Sequence, residues 1–301
     1  MKKIFFVIIS FLVITLVMLL YIKFDKSTVI KTKISPSILP LNNSSVEYLK
    51  LAFLDVGQGD ATFVEWPDGE QMLVDCGKDS NVLTGLGEVM PFYDKYIDYL
   101  LVTHPDLDHF GGCIDVIKRF DVGEVIYNGV VGDSDAWSYF WDLVESKKIK
   151  YTEINKFNIW DINNAQIKFL YPDSDISNEN IASNDGSIVF VMSYGESDIL
   201  FTGDAEEGLE KYLVENYEND LDVEVLKVAH HGSGGSSGKD FLAYVSPEYS
   251  VISVGAGNSY GHPSLRTIKR IERLGGEIFR TDLGGMIRFN IFKDNIERVI
   301  E

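Results

Sequence analysis

Thr103-His104-Pro105-Asp106-Leu107-Asp108-His109-Phe110-Gly111-Gly112 continues directly from the apolar run Ile97 to Thr103, and its reading decides that of the whole chain. Four potential metal ligands, His104, Asp106, Asp108 and His109, fall within six residues. Extended alternation projects His104 and Asp106 in one direction. Pro105 withholds a backbone donor and keeps the segment out of regular helix. Asp108 and His109 then lie where the chain turns towards a helix, and Gly111-Gly112 permits close approach of backbone. One compact loop can therefore present ligands to two adjacent cations. The bland alternative is a polar surface loop with a stray histidine. It fits poorly, because two of the chain's five histidines and two aspartates share this segment.

The other three histidines strengthen the reading. His230 and His231 follow the apolar run Val225 to Ala229, and His262 lies in Tyr260-Gly261-His262-Pro263-Ser264 after another expected strand. All five thus fall in loops at strand ends, where α/β folds usually carry ligands and catalytic groups. Asp204, in Leu200-Phe201-Thr202-Gly203-Asp204, also ends an apolar run, although Gly-Asp alone is a common turn. Ser-Gly-Gly-Ser-Ser-Gly at 233–238 would by itself read as a flexible linker. Placed after two histidines and before a helix-like segment, it is expected to offer backbone N–H groups to a phosphate.

Around these motifs, strands are expected over Val46 to Val56, Ala61 to Trp66, Gln71 to Cys76, Ile97 to Thr103 and Val122 to Val130. Further strands follow at Tyr151 to Ile154, Gln166 to Leu170, Ser187 to Tyr194 and Asp198 to Thr202. The later part alternates helices near 206–216, 239–244 and 265–274 with strands at 223–228, 249–254 and within 277–292. Meandering strands mixed with βα units imply an α/β fold: a mixed sheet, or two stacked sheets with helices outside.

Composition bounds the function. The 301 residues are 45% hydrophobic and 24% charged, which is ordinary globular composition. Two cysteines exclude a disulfide-built scaffold and a zinc ribbon; Cys76 and Cys113, lacking ligand spacing to a second Cys, are expected as buried free thiols. Residues 1–33 hold six lysines and one aspartate, so the remainder carries 21 basic and 45 acidic residues, a net of −24. Such a body is a poor general glue for nucleic acid, whose affinity comes mainly from Lys and Arg neutralising phosphates. Any phosphate-rich substrate needs a local source of positive charge.

Ile4 to Ile22 is interrupted only by Ser10 and Thr15, and at about 1.5 Å per residue it is long enough to cross a bilayer core. It lacks an Ala-x-Ala-like cleavage site, which favours an uncleaved anchor over a secretion signal. The expected organisation is an N-terminal transmembrane helix in 1–26, a linker in 27–45 and a globular domain in 46–301. Lysines on both sides leave the charge rule undecided, and the short N-terminus points to an extracytoplasmic domain, secreted if the segment is cleaved.

Seven motifs in order carry a family resemblance. They are Leu54-Asp55-Val56-Gly57-Gln58-Gly59-Asp60, Val74-Asp75-Cys76-Gly77, the 103–112 segment, Ser183-Asn184-Asp185-Gly186-Ser187, Thr202-Gly203-Asp204, His230-His231-Gly232-Ser233 and Tyr260-Gly261-His262-Pro263. Over about residues 48–292 the chain resembles the metallo-β-lactamase superfamily, in the branch containing the soluble domain of the ComEC/Rec2 competence proteins. The resemblance implies an αββα sandwich with a metal site at one edge. It implies His104 and Asp106 at one metal, Asp108 and His109 at the other, His231 joining and Asp204 bridging. His230 or His262 would complete a shell, contact substrate or act as general acid, with His262 favoured for substrate. Asp60 and Asp75 would orient histidines, while Asn184, Ser187, Ser233 and Ser236 would lie around the site. Asp106 and Asn184 replace histidines usual in the superfamily. These harder oxygen ligands weaken the case for a tightly held zinc pair and favour manganese or another hard ion.

The expected function is a metal-dependent hydrolase, foremost a phosphodiesterase or nuclease acting on DNA at the cell surface. Two divalent ions, zinc or manganese, about 3.5–4 Å apart would activate a bridging water, with Asp108, Asp204 and His262 as the catalytic groups. The alternatives are hydrolysis of another ester or amide, and a non-catalytic module that binds DNA or a partner. With at most one span, the chain cannot form a channel alone, so a role in DNA transport would require a membrane-channel partner.

Overall fold

The computed structural model describes residues 47–179 and 181–300. The expected anchor in 1–26 and linker in 27–45 lie outside them. No helix among the described residues is long and apolar enough to cross a membrane.

The chain opens with three antiparallel strands, β1 (Leu49–Phe53), β2 (Thr62–Glu65) and β3 (Gln71–Val74). Helix α1 (Val82–Val89) leads to β4 (Tyr96–Leu101), which runs parallel to β3. A short turn of helix, α2 (Leu107–Phe110), and α3 (Cys113–Arg119) precede β5 (Asp121–Tyr127); α4 (Asp135–Ser146) precedes β6 (Lys150–Glu153). A second sheet begins as an antiparallel meander of β7 (Asn158–Ile162), β8 (Ala165–Tyr171), β9 (Val189–Tyr194) and β10 (Ser197–Phe201). It continues in parallel through α5 (Glu207–Tyr217), β11 (Val225–Lys227), α6 (Lys239–Val245), β12 (Tyr249–Ile252), α7 (Leu265–Glu272) and β13 (Glu277–Arg280). After α8 (Thr281–Gly284), β14 (Ile287–Ile291) and β15 (Ile296–Val299) return to the first sheet beside β1. The orders are β15-β14-β1-β2-β3-β4-β5-β6 and β13-β12-β11-β10-β9-β8-β7.

Period-2 alternation explains the layering. In β1, Leu49, Leu51 and Phe53 join a core shared by both sheets, while Ala52 packs with the helices of the first half. In β9, Phe190 and Met192 join the shared core, and Val189 and Val191 face the other way. Residues of α1, α3 and α4 cover the outer face of the first sheet; those of α5, α6 and α7 cover the second. The result is an αββα sandwich.

Two strands were not expected from the sequence. Both β7 and β15 are sheet edges, largely half-buried or exposed, so their residues lack an apolar run. One expectation is overturned: Cys76 and Cys113 are not free thiols but form a disulfide, with Cα atoms 5.2 Å apart. The cause is local backbone docking, hidden by a separation of 37 residues. Cys76 N donates to His109 O (2.7 Å) and Gly112 N to Gly77 O (3.0 Å), bringing the start of α3 against the end of β3.

Candidate metal centre

The ends of β1, β3, β4, β10, β11 and β12 feed one edge of the sandwich. Asp75, just beyond β3, has φ 57° and clamps the next strand's end. Its carboxylate accepts from Thr103 N and Thr103 Oγ1, both at 2.8 Å, and its Oδ2 lies 2.8 Å from His109 Nδ1. The β1–β2 loop rests on the ligand segment: Asp60 N donates to Asp108 O (3.2 Å), and a Cβ on Gly59 would stand 2.2 Å from that oxygen. From the second sheet, Asp204 follows Gly203 (φ 48°), and its N–H donates to Ser187 Oγ (3.0 Å). His230 and His231 both adopt positive φ, 48° and 52°. Non-glycine residues pay for that conformation, and such strain gathers where side chains must be aimed.

His104, His109 and His231 are buried, and the Nε2 atom of each lacks a hydrogen-bond partner, as does Asp204 Oδ1. These atoms converge. His109 Nε2 is 3.3 Å from Asp204 Oδ1; His231 Nε2 is 3.3 Å from Asp108 Oδ2 and 3.6 Å from Asp204 Oδ2. Two overlapping groups, His104–His109–Asp204 and Asp108–His109–His231, each have ligand atoms within 4.8 Å of one another. The opposite ring nitrogens are engaged. His109 Nδ1 faces Asp75, His231 Nδ1 lies 3.0 Å from Ser253 O and 3.1 Å from Asp60 Oδ1, and His104 Nδ1 is 3.0 Å from Thr103 Oγ1. Buried polar atoms are rarely left unpaired, and metal-binding imidazoles are typically held by the nitrogen away from the metal. The donor set fits divalent cations.

Of the remaining sequence candidates, Asp106, His230 and Ser187 contact residues of these groups, and Asn184 and His262 contact His230. Asp106 Oδ2 is 3.7 Å from His104 Nε2, outside both compact groups, while its Oδ1 accepts from Ser183 Oγ (2.6 Å). His230 Nε2 lies 3.8 Å from Asp204 Oδ2. Asn184 Nδ2 donates to Glu206 Oε1 (3.1 Å) beside His230 Nδ1 (3.4 Å). The half-buried His262 ring centres 5.5 Å from that of His230. Ser187 Oγ is 3.3 Å from His104 Nδ1. Ser233 Oγ accepts from Gly235 N (3.3 Å), and Ser236 is buried.

Five of the seven N–H groups in the 232–238 loop, expected to face a phosphate, are instead bonded within the protein. Glu210, buried on α5, accepts from Ser237 N and, at 2.8 Å, from Gly238 N; Gly235 N and Ser233 N also bond within the loop. Burial pushes the Glu210 carboxyl up to about 7, although those N–H groups favour its charge. Sequence reading missed Glu210, and also Lys227, whose buried ammonium lies 2.6 Å from Asp60 Oδ2. A lysine inside the apolar run Val225-Leu226-Lys227-Val228 was the available signal for the second.

The rings titrate apart. Burial and the neighbouring His109 hold His104 below the ordinary imidazole value. Burial opposes charge on His109 and His231 as well, but carboxylates win. Asp204 and Asp75 raise His109 well above the ordinary value, and Asp204 and Asp60 raise His231 to about 10. Asp204 itself is held well below the usual carboxylate range, because His231 and His109 outweigh its burial.

A family model of the metallo-β-lactamase superfamily matches residues 54–256, and the chain belongs to that superfamily. Among curated proteins it is similar to ComE operon protein 3 of Bacillus subtilis, 29% identical over 254 residues, covering 78% of this chain and 32% of that protein. It is also similar to Competence protein ComA of Neisseria gonorrhoeae, 29% identical over 267 residues, covering 87% and 34%. Recombination protein 2 of Haemophilus influenzae is 26% identical over 249 residues, covering 81% and 29%. The chain spans about a third of the length of these relatives. Solved structures sharing the fold include CmlA, a diiron β-hydroxylase from Streptomyces venezuelae (TM-score 0.53, 15% identity, 84% of this chain and 54% of that chain). Igni18, a metallo hydrolase from Ignicoccus hospitalis, is another (TM-score 0.51, 15% identity, 80% and 98%).

Proposed function

We propose that this chain is a divalent-metal-dependent phosphodiesterase, acting on nucleic acid at the cell surface. The observation that carries the reading is the convergence of the buried, unpaired Nε2 atoms of His109 and His231 on Asp204 and Asp108, with buried His104 grouped beside His109 and Asp204. His104, His109, His231, Asp108 and Asp204 would hold the cations, with Asp106 at the margin. When bound, two such ions supply an activated water and offset charge building up on an attacked phosphorus. The chain's own residues prepare for this. Asp75 and Asp60 aim the rings of His109 and His231, and Lys227 fixes Asp60. His262 and His230, whose rings touch, would contact the phosphodiester; burial and His230 lower the His262 pKa and favour its neutral ring. Two divalent ions would add +4 at this edge, answering the charge problem of an acidic body.

The similarity to competence proteins supports a DNA substrate, and the Cys76–Cys113 disulfide suits an oxidising compartment outside the cytoplasm. With Ile4 to Ile22 as an anchor, the domain would be tethered at that surface, and any part in DNA transport would need a channel partner.

The test is hydrolysis by the purified full chain loaded with manganese or zinc, against DNA, RNA, bis(p-nitrophenyl) phosphate, and a panel of esters and amides. Cleavage of phosphodiesters that Asp204→Ala and Asp108→Ala abolish is the expected result. Metal binding without phosphodiester cleavage, or cleavage confined to esters or amides, would overturn the proposal. Little bound metal, with no functional change in either variant, would identify a non-catalytic module.

A further inference from the structure

The acidic body distributes its positive charge unevenly. Between α6 and α7, on the outer face of the second sheet, runs a groove of about 660 Å³. Its lining contains Lys239, Arg266, Lys269, Arg270 and Arg273, three leucines and one alanine, with no carboxylate. Residues 34–301 hold 21 basic residues, so about a quarter of them line this one groove. Glu207 partly answers Arg270 (2.9 Å) and Arg266 (3.9 Å), and Glu272 pairs with Lys269. Lys239 and Arg273 are exposed and have no ion-pair partner among the described residues.

The start of α7, at one end of the groove, is fastened to the segment that follows His231. His262 stands two residues before Ser264, which caps α7 by accepting from Thr267 N (3.3 Å). Ser264 N donates to Gly232 O (2.9 Å) and Thr267 Oγ1 to Ser233 O (2.6 Å), locking the start of α7 against the segment after His231. Arg270 reaches back to Ser236 O (3.1 Å) and Ser237 O (3.2 Å). Arg266, Lys269 and Arg270 thus run along the eight-residue helix α7, a rise of about 12 Å, with Arg273 just beyond its end. That length spans successive phosphates of one strand rather than a single anion. A concave strip of cations flanked by the exposed Leu265 suits a repeating polyanion with apolar faces better than a single anion or a flat membrane.

We infer that the α6–α7 groove is a docking track for the backbone of a nucleic-acid strand, leading it away from a scissile phosphate at the metal centre. This rests on the phosphodiesterase reading and names where its polymer lies. It places substrate affinity on a surface separate from the reacting groups.

The experiment measures binding of a fluorescent 30-nucleotide single-stranded DNA to the full chain, with chelator present so that hydrolysis is silent. Lys239→Gln/Arg273→Gln removes two unpaired cations. It is expected to weaken binding about tenfold or more near 0.1 M salt, and to reduce the salt slope by about 1.4. Lys118→Gln/Arg119→Gln, on the exposed part of α3, makes the same net-charge change and should have little effect. Equal loss in both variants, or no loss in the first, overturns the proposal. So does groove-dependent binding of phosphatidylglycerol vesicles without DNA binding. Hydrolysis of bis(p-nitrophenyl) phosphate by the unaltered, metal-loaded chain reports separately on the phosphodiesterase reading. If that fails while groove-dependent DNA binding persists, the activity falls and the docking surface stands.

Discussion

His109 sits between Asp75 on one ring nitrogen and Asp204 near the other, and His231 between Asp60 and the pair Asp108 and Asp204. Without a cation, both rings carry protons whose affinity exceeds that of an unfolded histidine, near 6.5. Stability from these protons is complete below about pH 6.5 and is lost as pH rises towards the His231 value of about 10. Calorimetry of the chelated chain should show Tm falling from pH 6.5 to 10. Metal addition near pH 7.5 should release protons, since ligating imidazoles must be neutral. A flat or rising Tm, with no proton release, would refute this coupling. The 103–112 segment was legible because its ligand types are adjacent in sequence. The contacts of Asp60 with His231 and Lys227 were not legible as pairings, because the partners lie more than half the chain apart.

At the scale of elements, the 103–112 segment is fastened between β3 and α3. The disulfide joins Cys76, the neighbour of Asp75, to Cys113, the first residue of α3. It encloses a loop containing His104, Asp106, Asp108 and His109. Closing a loop of this length restricts the unfolded chain by about 4 kcal/mol in the entropy account. Cys76→Ser/Cys113→Ser should therefore lower unfolding free energy by about 2–4 kcal/mol, read by urea denaturation. Reductant should weaken the parent chain and leave the variant unchanged. Equal denaturation midpoints for variant and oxidised parent would remove the disulfide from the stability argument. Sequence spacing hid this bond because it follows from the docking of Gly112 on Gly77, a contact between elements. For a different reason, β7 and β15 were hidden: edge strands with one wet face need few apolar residues.

For the molecule as a whole, the site exists only because two sheets meet. Asp60, Asp75 and residues 104–109 come from the first sheet, Asp204 and His231 from the second. Phe53 of the first sheet packs on Phe201 of the second, with ring centroids 6.5 Å apart, and Phe201 stacks on its strand neighbour Phe190 at 4.5 Å. Phe201 stands three residues before Asp204, so the packing that joins the layers also bears on where the Asp204 carboxylate sits. Phe201→Ala should cost about 3–5 kcal/mol in stability and weaken cation binding, although its side chain is no ligand. Cations that hold both sheets should in turn restore part of the loss, about 2.7 kcal/mol at 100 times their dissociation constant. Titration calorimetry with manganese, paired with thermal melts across metal concentration, measures both effects. If Phe201→Ala destabilised the chain while metal affinity stayed unchanged, the inter-sheet core would support the fold without setting the site.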